Sequence, residues 1–275
     1  MAVLIFLIKI KIKKPAVVYM LNLSIADLLF VCMLPFNIVY RFTGNNWLAG
    51  DALCHVVIAG FYFNMYCSIL LITSMSVDKY LAVIYPIQSL SWRSLTRAWI
   101  VCFLIWLISI SSTIPLLLTQ QTFHIEKLGV TTCHDVRNEQ EVGSFYLYYF
   151  STFTAVFFFL PLVITAFCYA ATIRTLSSSK MGNTERKKQA VVLAIIVLCI
   201  FVFCFGPTNL IFFVHNLQVG GGPVSQLYLG YLVCTSVSSI STTLNPLMYF
   251  VSSSKLQNFL CCKKDIAEQP ASSKP

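Results

Sequence analysis

The residues able to do chemistry are few, and several sit in unusual surroundings. Asp27, in Asn22-Leu23-Ser24-Ile25-Ala26-Asp27, is an ionisable side chain near the middle of an apolar run. If that run is a membrane helix, the charge costs roughly 2.5–3.5 kcal/mol on insertion scales and needs compensation. A sodium ion or proton, with Ser68, Ser241 and Asn245 as neighbours, would supply it; a hydrogen-bonded structural carboxyl is the plainer alternative. Asp78-Lys79-Tyr80 places an acid beside a base at the end of the apolar stretch Ser68–Val83. Alone, it would read as an interfacial ion pair with a snorkelling lysine. Cys204-Phe205-Gly206-Pro207 and Asn245-Pro246-Leu247-Met248-Tyr249 add two proline hinges, each beside residues able to switch contacts between two packings. His55, His124, His134 and His215 scatter over loops and helix ends. No His-Glu-x-x-His, Gly-x-Ser-x-Gly or paired catalytic carboxylates accompany them, which argues against a membrane enzyme.

The elements that must position these groups follow from composition. Of 275 residues, 57% are hydrophobic and 11% charged, with a mean hydropathy of +0.77. A soluble domain of that make-up would have no polar surface to present, so the chain is an integral membrane protein. Six segments are long enough to cross: about 16–40, 53–82, 98–118, 145–172, 189–214 and 225–250. Before them, Met1 to Ile8 covers only about 12 Å of a roughly 30 Å hydrocarbon core. The first of seven helices is therefore expected to be incomplete, as if the chain began at an internal methionine. Residues 1–252 form the membrane domain, and 253–275 a short amphipathic piece with a polar tail. The expected fold is an all-α, seven-helix bundle.

The net charge of +9 is sorted by loop. Lys9 to Lys14, Lys79, Arg93, Arg97, Arg174 to Lys188 and Lys255 to Lys264 share one side; only Arg41, Lys127 and Arg137 fall on the other. The positive-inside bias makes the first side cytoplasmic, so the basic balance reports orientation and contact with anionic membrane lipids, and no nucleic-acid partner is expected. Most of the 11 cysteines lie inside apolar runs, where cysteine is a small packing residue. Cys54 and Cys133 flank the outer side, and one disulfide between them is the economical reading. Thr119–Ser144 is the one long outer loop, a lid candidate. Cys261-Cys262, followed by Lys263-Lys264, reads as a juxtamembrane palmitoylation site. Asn22-Leu23-Ser24 matches a glycosylation sequon, but inside the bilayer it is a false positive.

The acid–base motif and the two proline motifs, in this order and spacing, resemble the rhodopsin-like G-protein-coupled receptors. Further pieces, among them Phe61-Tyr62-Phe63-Asn64-Met65-Tyr66, Tyr85-Pro86-Ile87-Gln88-Ser89-Leu90-Ser91-Trp92-Arg93 and Thr131-Thr132-Cys133-His134-Asp135-Val136, look like the proteinase-activated receptors. That resemblance implies a multi-pass plasma-membrane receptor with an extracellular N-terminus, signalling to heterotrimeric G proteins, with arrestin as a further partner. A thrombin-like serine protease would act on an outer segment preceding these residues, and the freed end would fold back as a tethered agonist. The resemblance places His134, Asp135 and Glu139 in the lid and Tyr62, Tyr66, His215, Tyr228 and Tyr231 around the outer pocket; a membrane-interface tyrosine belt is the plain alternative. The switch would comprise Ile69, Pro161 and Phe201 shifting against each other, Phe205 and Pro207 at one hinge, Pro246 at the other, and Tyr169 and Tyr249 moving toward Asp78-Lys79-Tyr80. No cofactor is expected beyond a possible allosteric sodium ion at Asp27. Lys79 stands where the family carries arginine, keeping the charge but losing the bidentate fork. Asn245 stands where the subfamily more often has aspartate, and Asn216 where a pocket tyrosine is usual. An ion-coupled transporter is disfavoured because no internal repeat appears and Asp27 is nearly the sole ionisable group at depth. A non-signalling partner of a full-length receptor is the remaining alternative.

Overall fold

The computed structural model describes residues 14–126, 129–134, 152–178, 184–217, 230 and 233–245. Helix α1, Pro15–Phe42, begins where proline pre-sets the backbone angle at a position whose missing N–H is no loss. It ends in a turn whose Gly44 and Asn45 take positive φ angles of 71° and 61°. Helix α2, Asp51–Ile84, has 34 residues. At 1.5 Å per residue it is about 51 Å long, more than the hydrocarbon core requires, so its ends project into the interfaces. A single turn, α3 (Ser89–Trp92), leads to α4 (Leu95–Leu118), where Ser94 caps the helix by accepting the Arg97 N–H.

After α4 the chain makes a two-stranded antiparallel hairpin, β1 (Thr122–Ile125) with β2 (Val130–Cys133), in the register Thr122 to Cys133. Helix α5, Leu160–Ser178, is preceded by a π-helical turn at Ala155–Phe159. Helix α6, Thr184–Cys199, passes through a second π-turn, Ile200–Phe205, into α7, Gly206–Leu217. A last helical run, α8, covers 233–245.

Among the described residues, five helical stretches are long and apolar enough to cross a membrane: Pro15–Phe42, Asp51–Ile84, Leu95–Leu118, Thr152–Ser178 and Ala190–Ile211. Four of them match expected segments within about three residues, and Thr152–Ser178 overlaps the expected 145–172 but ends six residues later, with 145–151 outside the described residues. The run at 233–245 falls inside the sixth, and Met1–Ile8 lies outside the described residues.

Helix α2 is the hub, packing against α1, α4 and α5. Its interior residues, from Tyr62 through Ile69 to Met75, are almost wholly buried. The outward faces carry Phe103, Val163 and Phe167, each more than 60% exposed, as a lipid-facing surface would. Lipid is as apolar as such a core, so helix association here depends on close packing and on polar groups that close internally. Ser24, Thr73, Ser76 and Thr172 each donate to the carbonyl four residues back, which satisfies these hydroxyls within their own helices. Asn22, the apparent sequon, is buried: its Oδ1 accepts the Trp106 indole N–H at 3.1 Å and its amide donates to Val18.

Candidate functional site

At one end of the bundle the lid hairpin is fastened to the helices. Cys54 and Cys133 form the disulfide, with Cα atoms 5.9 Å apart, tying the first turn of α2 to the end of β2. The Tyr40 hydroxyl accepts the Cys133 N–H at 3.1 Å, and the Asn46 side chain accepts the Thr131 N–H at 3.0 Å. The Trp47 N–H donates to the Thr131 carbonyl at 2.7 Å. Just past β2, His134 takes a positive φ of 65°. Its ring meets the Tyr62 ring edge-on with centroids 6.0 Å apart, and Tyr62 in turn stacks on Tyr66 at 6.4 Å. Phe153, ahead of α5, closes on Tyr66 at 4.8 Å.

Gln121 sets the orientation of His134. It is 2% exposed, and its amide nitrogen faces the Leu116 carbonyl, the Thr119 carbonyl and the Thr119 hydroxyl, at 3.0, 3.2 and 2.8 Å. Its amide oxygen must therefore face the imidazole, where His134 Nδ1 lies 2.7 Å away and donates. The second nitrogen, Nε2, then offers its lone pair toward the Tyr62 hydroxyl at 3.5 Å, a long contact. Three of the expected pocket residues, Tyr62, Tyr66 and His134, are thus brought together.

In the middle of the bundle Asn245 donates from one amide nitrogen to both oxygens of Asp27, at 3.1 and 2.9 Å. Ser68 and Ser241 are buried at 0% and 1% exposure. The oxygens of Ser68, Asn245 and Asn64 have no hydrogen-bond partner among the described residues. Asn64 precedes Ser68 by four residues on α2, placing both on one helix face. Carboxylate and neutral side-chain oxygens are the ligand types that hard cations take, and Asn245 is the described partner of the Asp27 carboxylate. Among the described residues no group of three His, Cys, Asp or Glu side chains is placed to hold a metal ion.

At the far end Asp78 is 6% exposed, and its two oxygens are held by Arg93 Nε and Nη2 at 2.7 Å each. The bidentate partner is therefore Arg93 and not the adjacent Lys79. The reason is geometric, since neighbouring helix residues point about 100° apart and cannot close a two-bond fork. Donating its hydrogen bonds to Asp78 raises the Arg93 guanidinium above its ordinary value, which burial partly opposes, so this cation stays charged. Tyr80 packs on Phe167 of α5, with centroids 5.8 Å apart.

Between the two ends, Ile69 and Phe201 are 0% exposed within one cluster, and Pro161 is buried at the start of α5. Phe158 stacks on Phe201 at 6.4 Å, and Phe201 meets Phe205 edge-on at 6.1 Å. Pro207 cannot donate a main-chain hydrogen bond. Around it, side chains supply extra donors: Asn209 donates to the Phe205 carbonyl at 2.8 Å, and Ser238 of α8 to the Cys204 carbonyl at 2.5 Å. Tyr169 is buried on α5.

Asp135, Glu139, Tyr228, Tyr231, Pro246, Tyr249, Cys261 and Cys262 lie outside the described residues, as does the side chain of His215. Sequence reasoning missed Gln121 and Arg93 as members of these sites; both sit in irregular stretches whose spacing carries no periodic signal.

Comparison with known proteins identifies the family of the chain. The family described as 7 transmembrane receptor (rhodopsin family) matches residues 1–249. Proteinase-activated receptor 1 of Xenopus laevis is 52% identical over 277 residues, covering 99% of this chain and 65% of the relative. The Homo sapiens receptor of the same name is 50% identical, covering 96% and 63%. Human proteinase-activated receptor 2 is 42% identical, covering 91% and 63%. The chain thus spans a little under two thirds of the length of these relatives.

Proposed function

Because the chain belongs to the rhodopsin family of seven-transmembrane receptors, a family of multi-pass membrane receptors and not of enzymes, we propose that it carries a peptide signal across the plasma membrane to heterotrimeric G proteins. Its nearest type would be the thrombin-activated member of the proteinase-activated receptors. The observation that carries this reading is identity of 50–52% over nearly the whole chain with two receptors named for proteinase activation. The hairpin end faces outward and the Asp78 end inward, in keeping with the basic residues gathered around Lys14, Arg93, Arg97 and Arg174.

On this reading a peptide with a free amine and basic side chains docks under the hairpin, against Tyr62, Tyr66 and His134 and the acidic lid residues Asp135 and Glu139. Aromatic faces and carboxylates are the groups that favour such a ligand. His215, Tyr228 and Tyr231 complete the pocket. Binding there biases the packing of Ile69, Pro161 and Phe201, and α6 swings about Pro207 to admit a G-protein helix beside Lys79, Tyr169 and Tyr249. Arrestin would use the same cleft, and Cys261 and Cys262 would carry palmitate beside it. A sodium ion, if bound, would be held by Asp27, Ser68 and Asn245 with Ser241 nearby, and would stabilise one of the two packings.

The test is calcium mobilisation in cells expressing the chain, on adding a free peptide agonist of proteinase-activated receptor 1. A response that is lost in Tyr62→Ala and His134→Ala supports the reading. Silence from chain shown to be at the cell surface, beside a responding human relative, would overturn it.

A further inference from the structure

His55 lies in the first two turns of α2, next to Cys54, and its ring joins α2 to the chain beyond α4. Nδ1 is 2.9 Å from the main-chain oxygen of Asp51 and 3.5 Å from the Asp51 carboxylate. Nε2 is 2.8 Å from the main-chain oxygen of Thr119, immediately past α4. The side chain is 14% exposed. Both ring nitrogens therefore face carbonyl oxygens, and a carbonyl oxygen only accepts. A neutral imidazole has one N–H. In either tautomer its other nitrogen aims a lone pair at an oxygen within 2.9 Å, whereas the imidazolium donates to both.

We propose that His55 is a proton-gated clasp: doubly protonated, it binds the outer end of α4 to α2, and on losing a proton it releases one of its two contacts. Two acceptors, one for each ring nitrogen, match the two N–H donors of the doubly protonated ring. Asp51 supplies a carboxylate from the same helix, and the other oxygen of that carboxylate accepts the Thr122 hydroxyl at the start of β1. Thr119 and Thr122, the residues that reach this cluster from the neighbouring elements, bring no titratable side chain. The hairpin's own titratable residues in the described part are Glu126 and His124, and His124 faces the Thr131 hydroxyl at 3.2 Å. The sign follows from the donor count: the clasp is complete when the ring carries both protons and opens at one contact when it loses one.

The consequence reaches the pocket through one residue. The Thr119 carbonyl that His55 holds also accepts from Gln121, and Gln121 fixes the tautomer and position of His134 against Tyr62. Opening the clasp loosens the chain of hydrogen bonds that sets a pocket side chain. This consequence for signalling rests on the proposed receptor function; the clasp itself does not.

The deciding experiment is solid-state NMR of the full chain in lipid membranes, with ring-15N histidine. The chain has four histidines, and the His55→Gln spectrum assigns the signals of interest. At about pH 5.5 both His55 ring nitrogens should show protonated-type signals, and at higher pH one should convert to the lone-pair type. A lone-pair nitrogen on His55 already at about pH 5.5 would overturn the proposal. A second readout is peptide potency. Wild type should shift about tenfold between about pH 5.5 and about pH 7.5, equivalent to ~1.4 kcal/mol. His55→Arg, which keeps a two-donor cation at all pH, should hold the acid-side potency, and His55→Gln the other, each shifting less than about twofold. Variants that keep the wild-type pH profile would show His55 to be only structural and would overturn the gating. If the wild-type chain answers no peptide at any pH, the receptor reading fails and the nitrogen signals decide the clasp alone.

Discussion

Removing Arg93 should cost the protein more than the loss of a surface cation. Its guanidinium makes two bonds of 2.7 Å to Asp78, with 24% of the arginine and 6% of the aspartate side chain exposed. Exposed ion pairs contribute about 0–1 kcal/mol, and breaking a fully buried pair costs about 3–5 kcal/mol because a charge is left without a partner. This pair lies between, with the carboxylate near the buried limit and the guanidinium wetter, so Arg93→Ala should cost about 2 kcal/mol. Arg93→Lys should recover about half, since an ammonium keeps the charge but cannot match both carboxylate oxygens.

The assay is thermal unfolding in detergent as a double-mutant cycle with Asp78→Asn. At about 2–4 °C per kcal/mol for a chain of this size, Arg93→Ala should lower the midpoint by about 4–8 °C. In the double variant the arginine substitution should cost far less, because no ionised carboxylate remains to be stranded. If the two single effects simply add, within the equivalent of about 0.5 kcal/mol, the pair contributes nothing and the reasoning is refuted. The same cycle on ligand-independent signalling tests whether the pair belongs to the inactive packing. If it does, losing about 2 kcal/mol shifts that equilibrium up to about 30-fold toward the active one.

Three further outcomes follow from the same contacts. Gln121→Leu leaves the Leu116 carbonyl and His134 Nδ1 without their partner, so peptide potency should fall about tenfold, as stranding one buried polar group costs about 1–3 kcal/mol; unchanged potency would free His134 from this support. Breaking the Cys54–Cys133 bond, which closes a separation of 79 residues, should cost up to about 4–5 kcal/mol on the chain-entropy estimate, read as lost surface expression of Cys54→Ser. Replacing sodium by an organic cation at constant ionic strength should lower the unfolding midpoint of wild type but not of Asp27→Asn; equal shifts in both would remove sodium from the Asp27 site.

The helices were legible because lipid leaves few options: long apolar runs must be helical, and charge counts along the loops orient them. Cys54 and Cys133 were legible as the pair on one side, and Asp27 as a charge out of place. What could not be read were contacts made by irregular backbone. The hairpin at 122–133 carries β-branched residues and a Gly129 at φ 61°, but it is too short for an alternation pattern to stand out. Gln121 finds its partners through a turn between helix and strand, and Arg93 reaches Asp78 through a single helical turn. Such contacts depend on where a loop returns in space, which local periodicity does not encode. The π-turns before Pro161 and Gly206 were likewise hidden, since sequence marked the prolines but not the extra residue in the preceding turn.

These contacts also indicate which parts of the bundle can move. Helix α2 is fixed at both extremities, by the disulfide at Cys54 and by Arg93 on Asp78, and is buried between them. It is a poor candidate for displacement. Helices α5 to α7 are different: each of the two crossing stretches contains a π-turn followed by proline, where the main-chain ladder is already interrupted. Beside the apolar cluster they share with α2, side-chain bonds that can be exchanged singly join them to their neighbours. Thr165 on α5 meets Thr73 of α2 at 3.1 Å, and Ser238 joins α8 to Cys204 and Thr208 across the Pro207 kink. Gly206 allows little slack, because an added Cβ would lie 3.3 Å from the Phe201 carbonyl. A tight pivot flanked by replaceable hydroxyl bonds, beside a helix anchored at both ends, is a geometry for swinging α6 while α2 stays still. That is the division of labour a receptor needs if a ligand at the His134 end is to open a cleft beside Lys79.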